Sequence, residues 1–235
     1  MKIIYQDENL LVIDKPAGWI VFPEDESKNE SSIIEETVKD FPELKKVGES
    51  PRYGAIHRLD KDTSGVLLIA KNNDSLKFFQ EQFQEKKVIK EYWTLCVGRV
   101  LDKKGIIDTF MSRAPGDRRK QKAHPPYDLS IKGATRKAVT TYEVLKNFEN
   151  YTLIKVLPQT GRKHQIRCHM AYLHHPIAGD PLYGFKNQPQ PEGLERQFLH
   201  ARGLKIKMPD GQEREFISEL PDDLAKILDK LKKHE

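Results

Sequence analysis

Residues Gly65-Val66-Leu67-Leu68-Ile69-Ala70 form a continuous apolar run with turn-forming residues at either end. So short a segment with no polar face reads as a strand covered on both sides, and such a strand belongs at the centre of a sheet. The chain must therefore supply strands to flank it and further layers to cover it. A length of 235 residues suffices for one core of that kind and is short for two, so a single domain over residues 1–235 is expected.

The remaining pattern suggests what surrounds that strand. Ile3 to Tyr5, Leu10 to Ile13 and Trp19 to Phe22 read as short strands separated by Asp7-Glu8-Asn9 and Lys15-Pro16-Ala17-Gly18, which predicts a β-meander. After an acidic, Ser-rich piece from Glu24 to Ser31, Ser32 and Glu35 form a capping box ahead of Ile33, Ile34, Val38 and Phe41. Leu76, Phe79 and Phe83 share one helical stripe. Val88 to Val97, Ala138 to Leu145 and Tyr151 to Leu157 are rich in strand-forming residues. Asp210-Gly211 marks a hairpin, and Leu224, Ile227, Leu228 and Leu231 mark a terminal helix. Between Ser112 and Thr135 lie Arg113, Arg118, Arg119, Lys120, Lys122 and Lys132 with prolines and glycines, and no periodicity predicts an element there. Strands and helices do not alternate strictly, so the expected class is α+β, a mostly antiparallel mixed sheet with flanking helices.

A formal charge of +5 points toward a polyanionic partner, because clustered Lys and Arg displace counterions from phosphates. Cys96 and Cys168 stand far apart with no C-x-x-C, which suggests neither a disulfide framework nor a thiolate zinc site and fits a reducing cytoplasm. No apolar stretch reaches the length of a membrane span or a secretory leader. Nothing demands more than a monomer.

The stretch richest in chemistry is Ala55-Ile56-His57-Arg58-Leu59-Asp60-Lys61-Asp62-Thr63-Ser64-Gly65-Val66-Leu67-Leu68. A polar, turn-forming cluster between apolar strands puts side chains on a loop held by rigid scaffold. Asp60 is placed there either for catalysis or to close a turn through its own backbone. The run resembles the H-R-L-D-x-x-T-S-G-[LV]-L-L signature of the RluA family of pseudouridine synthases. Leu11-Val12-Ile13-Asp14-Lys15-Pro16-Ala17-Gly18 is similar to the family's opening strand and K-P-A-G turn, and Lys90-Glu91-Tyr92 to its K-x-Y strand. Gly161-Arg162-Lys163-His164-Gln165-Ile166-Arg167-Cys168-His169 resembles its G-R-x-H-Q-[IL]-R-x-H helix. His175-Pro176-Ile177-Ala178-Gly179-Asp180 with Tyr183-Gly184, and Leu199-His200-Ala201, resemble two further segments. The departures are His174 where glycine is common, Trp19 and Phe22 after the first turn, and Thr94 where alanine is frequent.

The resemblance implies an enzyme that isomerises uridine in ribosomal or transfer RNA, with no cofactor and no metal. Because the chain opens on the first strand of the catalytic core, with no S4 domain ahead of it, RNA positioning is expected from that core. The resemblance assigns the covalent chemistry to Asp60, the neighbour of the flipped base to Tyr92, and the cation that keeps Asp60 ionised to Arg167. A helix from Lys163 would carry Ile166, Met170 and Leu173 on its apolar face, with Arg167 at the border. Arg58 has a flat cation suited to displacing a base. Arg113, Arg118, Arg119 and Lys120, with Arg162, Lys163 and His164 at the helix start, offer phosphate contacts, the last three helped by free backbone N–H groups. Two other readings compete. Asp60-Lys61-Asp62-Thr63 is similar to the D-x-D of magnesium-dependent phosphohydrolases, which requires a doubly wound parallel sheet. A non-catalytic RNA-binding module would not need Asp60, Tyr92 and Arg167 together.

Overall fold

The computed structural model describes residues 1–23, 31–128 and 133–232, so most of the Ser-rich piece and Lys132 lie outside the described residues. The chain divides into two compact units, each assembled from two stretches: Met1–Ile89 with His200–Leu220, and Lys90–Leu199 with Pro221–Glu235.

In the first unit β1 (Lys2–Gln6) pairs antiparallel with β2 (Leu10–Lys15), and β2 with β3 (Ser64–Ala70). All seven residues of β3 are buried, as its unbroken apolarity predicts. Its other edge meets β9 (Leu199–Lys207) in the parallel register Ser64 to His200 and Gly65 to Ala201, and β9 continues antiparallel to β10 (Glu213–Ile217). The expected third strand of a meander does not form. Both edges of β2 are already taken, by β1 and β3, so Trp19 to Phe22 has no ladder to join, and Ile20 makes only an isolated bridge to Ser32. Helix α1 (Ile33–Asp40) starts at the predicted capping box, the Glu35 N–H donating to Ser32 Oγ at 3.2 Å. Helix α2 (Asn73–Gln84) buries Phe79 completely, and Gln82 Nε2 donates to the Lys207 carbonyl at 2.9 Å, tying it to the end of β9.

The second unit is an antiparallel ladder in the order β4 (Ile89–Val97), β8 (Tyr151–Pro158), β7 (Arg136–Asn147), β5 (Lys104–Ala114) and β6 (Asp117–His124). The basic segment read as structureless is thus part of a hairpin. Its second strand, Asp-Arg-Arg-Lys-Gln-Lys-Ala-His, carries almost no apolar side chain, so it shows no alternation; pairing with β5 makes it a strand, and its charge suits an edge. Helix α4 (Asp222–Lys230) buries Leu224 and Ile227. The α+β class with a mixed sheet holds: β3 pairs parallel with β9, and the other ladders described above are antiparallel. Among the described residues no helix is long and apolar enough to cross a membrane.

Helix α3 (Gln165–Tyr172) departs most from its sequence pattern. It begins two residues later than expected, and Gln165 through Met170 are all buried, so it is enclosed and not half exposed. Its polar side chains tolerate this because each finds partners. Gln165 Oε1 accepts from Thr160 Oγ1 at 2.6 Å, and its Nε2 donates to Thr140 Oγ1 at 2.9 Å. The His169 ring bonds Thr109 Oγ1 at 3.0 Å and Thr140 Oγ1 at 2.8 Å. Burial pushes the His169 imidazole down to about 4, against the opposing field of Asp108. The unfolded chain takes up this proton near pH 6.5 and the folded chain only near 4, so stability is lost as pH falls from 6.5 toward 4 and levels off below. Replacing His169 with Gln, which cannot titrate, is expected to flatten that part of the urea-midpoint profile; a profile unchanged in slope would contradict it.

Candidate active site

The loop carrying Asp60 is fastened from several directions within the first unit. Its turn is closed by backbone, the Thr63 N–H donating to the Asp60 carbonyl at 3.1 Å. The next carbonyl, that of Lys61, accepts from the Gly18 N–H and from Lys15 Nζ, both at 3.0 Å. Lys15 is fully buried, and its ammonium also reaches the Pro16 carbonyl at 2.8 Å. The K-P-A-G turn is therefore a brace for the Asp60 loop. On the far side Ser64 Oγ lies 3.0 Å from His200 Nδ1, and His200 Nε2 lies 3.0 Å from the Ser218 carbonyl. A carbonyl only accepts, so the proton sits on Nε2, and Ser64 donates to Nδ1. Gly65, at φ +117°, lets β3 approach β9 so closely that a Cβ there would run into the Ala201 carbonyl oxygen.

His57 supports the loop: its Nε2 accepts the Leu68 N–H at 3.1 Å and its ring stacks on Phe83. Asp60 is half-buried and Arg58 exposed, its guanidinium 5.3 Å from the centre of the Phe22 ring. Phe22, one of the departures from the family pattern, is buried and carries Arg52 at 5.0 Å as well.

In the second unit, Tyr92 is half-buried on β4, opposite Val156. Lys90 shares its face of the strand, two residues away. Burial pushes the Lys90 ammonium down to about 8, and Nζ donates to the Thr160 carbonyl at 3.4 Å. Thr94, another departure, hides its hydroxyl by donating to the Phe198 carbonyl at 2.8 Å.

Arg167 is buried, and Asp180 receives it in a two-point pair, Nε to Oδ2 at 2.7 Å and Nη2 to Oδ1 at 3.0 Å. Asp180 Oδ1 also accepts the N–H groups of Leu182 at 2.8 Å and Tyr183 at 3.0 Å. The Tyr183 ring lies under the guanidinium at 5.2 Å, and its hydroxyl accepts the Gln121 N–H at 2.7 Å and lies 3.1 Å from His164 Nδ1. Gly179, at φ +73°, permits the close pass by the Arg196 carbonyl that delivers Asp180. Sequence reasoning assigned no role to Asp180, Lys15 or His200, although all three lie in the quoted motifs; their partners Arg167, Lys61 and Ser64 stand 13, 46 and 136 residues away along the chain. His174 stands at φ +64°, in the left-handed region where the family's glycine would be unstrained.

The basic residues fall into two groups. Arg113, Arg162 and Lys163 line one cavity of about 860 Å³, whereas Arg118, Arg119 and Lys120 are not among its lining residues. Arg119 is engaged by Asp117, Nη2 to Oδ2 at 2.8 Å, and this contact holds the Asp117 carboxyl down at about 2. The approach to α3 is less open to anions than expected, since the Arg162 N–H donates to Gln165 Oε1 at 3.0 Å and the His164 ring is turned onto Tyr183. Among the described residues no group of three His, Cys, Asp or Glu side chains could hold a metal ion.

The family model described as RNA pseudouridylate synthase matches residues 9–172. The chain is 33% identical to ribosomal large subunit pseudouridine synthase D of Pasteurella multocida, over 99% of its own length and 71% of that protein's. It is 36% identical to an uncharacterized RNA pseudouridine synthase of Aquifex aeolicus, over 100% of its length and 74% of the other's. The structure of human RNA pseudouridylate synthase domain containing 4 superposes with a TM-score of 0.75 at 28% identity, covering 97% of this chain and 92% of that one.

The Arg167 pair has a measurable consequence. Asp180→Asn keeps the shape but removes the buried counter-charge, and is expected to lower unfolding free energy by about 3–5 kcal/mol in urea titrations. A loss under ~1 kcal/mol would show that Asp180 is not the partner Arg167 depends on.

Proposed function

The chain belongs to the RNA pseudouridylate synthase family, and from that premise we propose how its own residues turn uridine in RNA into pseudouridine. The reaction breaks the bond from uracil N1 to ribose C1′, turns the base, joins C1′ to uracil C5 and releases the C5 proton. Atoms are conserved and nothing is oxidised, so side chains of the types found here suffice. Family membership disposes of the phosphohydrolase reading, and the fold agrees: Asp60 precedes the central strand β3 instead of following a strand of a doubly wound parallel sheet.

Asp60 supplies the carboxylate that starts bond cleavage, as nucleophile or as base. Enclosure by RNA would raise its proton affinity; a guanidinium reverses this by about one to three pKa units, and Arg167 is the cation we assign to that task. What favours Arg167 is its preorganisation, with the side chain held rigid by Asp180 and Tyr183 before any substrate arrives. Tyr92 stacks on the displaced uracil and accepts the C5 proton, with the Lys90 amine, titrating at about 8, beside it on the strand face. A base inside a helix must first leave the stack, at a cost of a few kcal/mol. Arg58, an exposed flat cation next to the Asp60 turn, takes its place there. Arg113, Arg118, Lys120, Arg162 and Lys163 hold the surrounding phosphates, whereas Arg119 and His164, engaged by Asp117 and Tyr183, do not. The ribosomal names of the relatives favour large-subunit ribosomal RNA as the substrate. We further propose that the protein acts as a cytoplasmic monomer and needs no metal.

The single observation carrying this reading is an Asp60 loop tied down by Lys15, Gly18 and His200 while its carboxylate stays half-buried. Tritium release from RNA labelled at uridine C5 tests it: Asp60→Ala should lose at least ~10³-fold while RNA binding persists, and near-normal turnover would remove Asp60 from the chemistry. Tyr92→Phe should bind RNA normally but release tritium far more slowly; an unaltered time course would dismiss Tyr92 as the proton acceptor.

A further inference from the structure

The cavity of the second unit lies among the β5–β6 hairpin, the start of β7 and the turn at residues 161–163. Five cationic side chains line it, Arg113, Lys122, Arg136, Arg162 and Lys163, against one carboxylate, that of Asp128. Asp128 is already directed at the His124 ring, Oδ2 to Nδ1 3.6 Å. Among the described residues, no carboxylate lies within ion-pair distance of Arg113, Lys122 or Arg136. Like charges gathered in one concavity repel one another and raise its potential, a cost that an incoming anion removes. The volume of about 860 Å³ sits near the upper end for ligand pockets, with room for more than one phosphate.

The lining also indicates which part of a nucleic acid fits. Among the described residues that line it there is no Phe, Tyr or Trp, so they offer no platform on which a base could stack. The aromatic ring among its described lining residues, His124, is held by Ser112 Oγ at 2.9 Å and faces Asp128 on its other side. Charge without stacking selects phosphates and sugars, which carry position and not sequence.

We propose that this cavity binds the ribose-phosphate backbone of the RNA, with Lys122 and Arg136 as phosphate contacts, and serves as a docking site that reads charge and not bases. The proposal rests on the RNA-modifying reading above and adds to it a site that acts on affinity without touching the reacting atoms.

The probe that isolates such a site is a fluorescein-labelled hexamer of abasic ribose-phosphate, which has a backbone and nothing to stack. Wild-type protein should bind it, and the double variant Lys122→Glu, Arg136→Glu should bind it at least ~10-fold more weakly, with the slope of log affinity against log salt reduced by about 1–2. In tritium release from C5-labelled uridine RNA, the same variant should raise KM by a similar factor and leave kcat within about twofold. Lys122→Arg, Arg136→Lys should restore both readouts, whereas Lys226→Glu, Lys230→Glu on α4 should affect neither. If the glutamate pair fails to fold, Lys122→Gln with Arg136→Gln is read by the same criteria. Equal affinity of wild type and variant for the abasic hexamer would overturn the proposal, as would wild-type protein that ignores the hexamer or a variant whose loss lies in kcat alone. Hexamer binding does not depend on isomerisation, so wild-type protein that binds the hexamer and releases no tritium would refute the catalytic reading and leave the backbone site standing.

Discussion

A guanidinium taken out of water organises the second unit. Asp180 meets the buried Arg167 at two points, and Gly179, passing against the Arg196 carbonyl, lets Asp180 arrive there. The same carboxylate caps the turn of Leu182 and Tyr183, which slides the Tyr183 ring beneath the cation and brings its hydroxyl to β6 and to His164. Remove the pair, and the enclosure of α3, the turn after it and the seating of the basic hairpin lose a common anchor.

The first unit solves a similar problem with a lysine. Lys15 gives its buried ammonium to backbone carbonyls, one of them in the Asp60 turn. Ser64 and His200 fix the next part of that loop to β9, and Gly65 makes the close contact possible. These motif residues hold the backbone beside Asp60 still, which is what a carboxylate of defined position requires.

The two kinds of basic residue now separate by surroundings. Arg119 is spent on its neighbour Asp117, and His164 on Tyr183, while Lys122 and Arg136 face the cavity without a carboxylate partner among the described residues. Counting positive charges along the chain cannot make that distinction, because it does not show which of them meets a carboxylate or a ring once the chain has folded. Lys90 is a further case. A lysine between two strand residues looks unremarkable until burial lowers its proton affinity, on the same strand face as Tyr92.

Much was legible in one dimension. A short unbroken apolar run bounded by turn residues favours a covered strand, a Ser-x-x-Glu pair ahead of an apolar stripe marks a helix start, and the motif run around Asp60 marks its family, because each of these signals is local and chemically self-contained. The structure decided what depends on partners far away in the chain. The charged strand β6 exists because β5 pairs with it, Trp19 to Phe22 fails to become a strand because β2 has no free edge, and α3 is enclosed because Asp180, Thr109 and Thr140 answer its polar side chains. Periodicity records which side chains avoid water; it cannot record which polar ones have found something better than water, and that is settled only when the chain has folded.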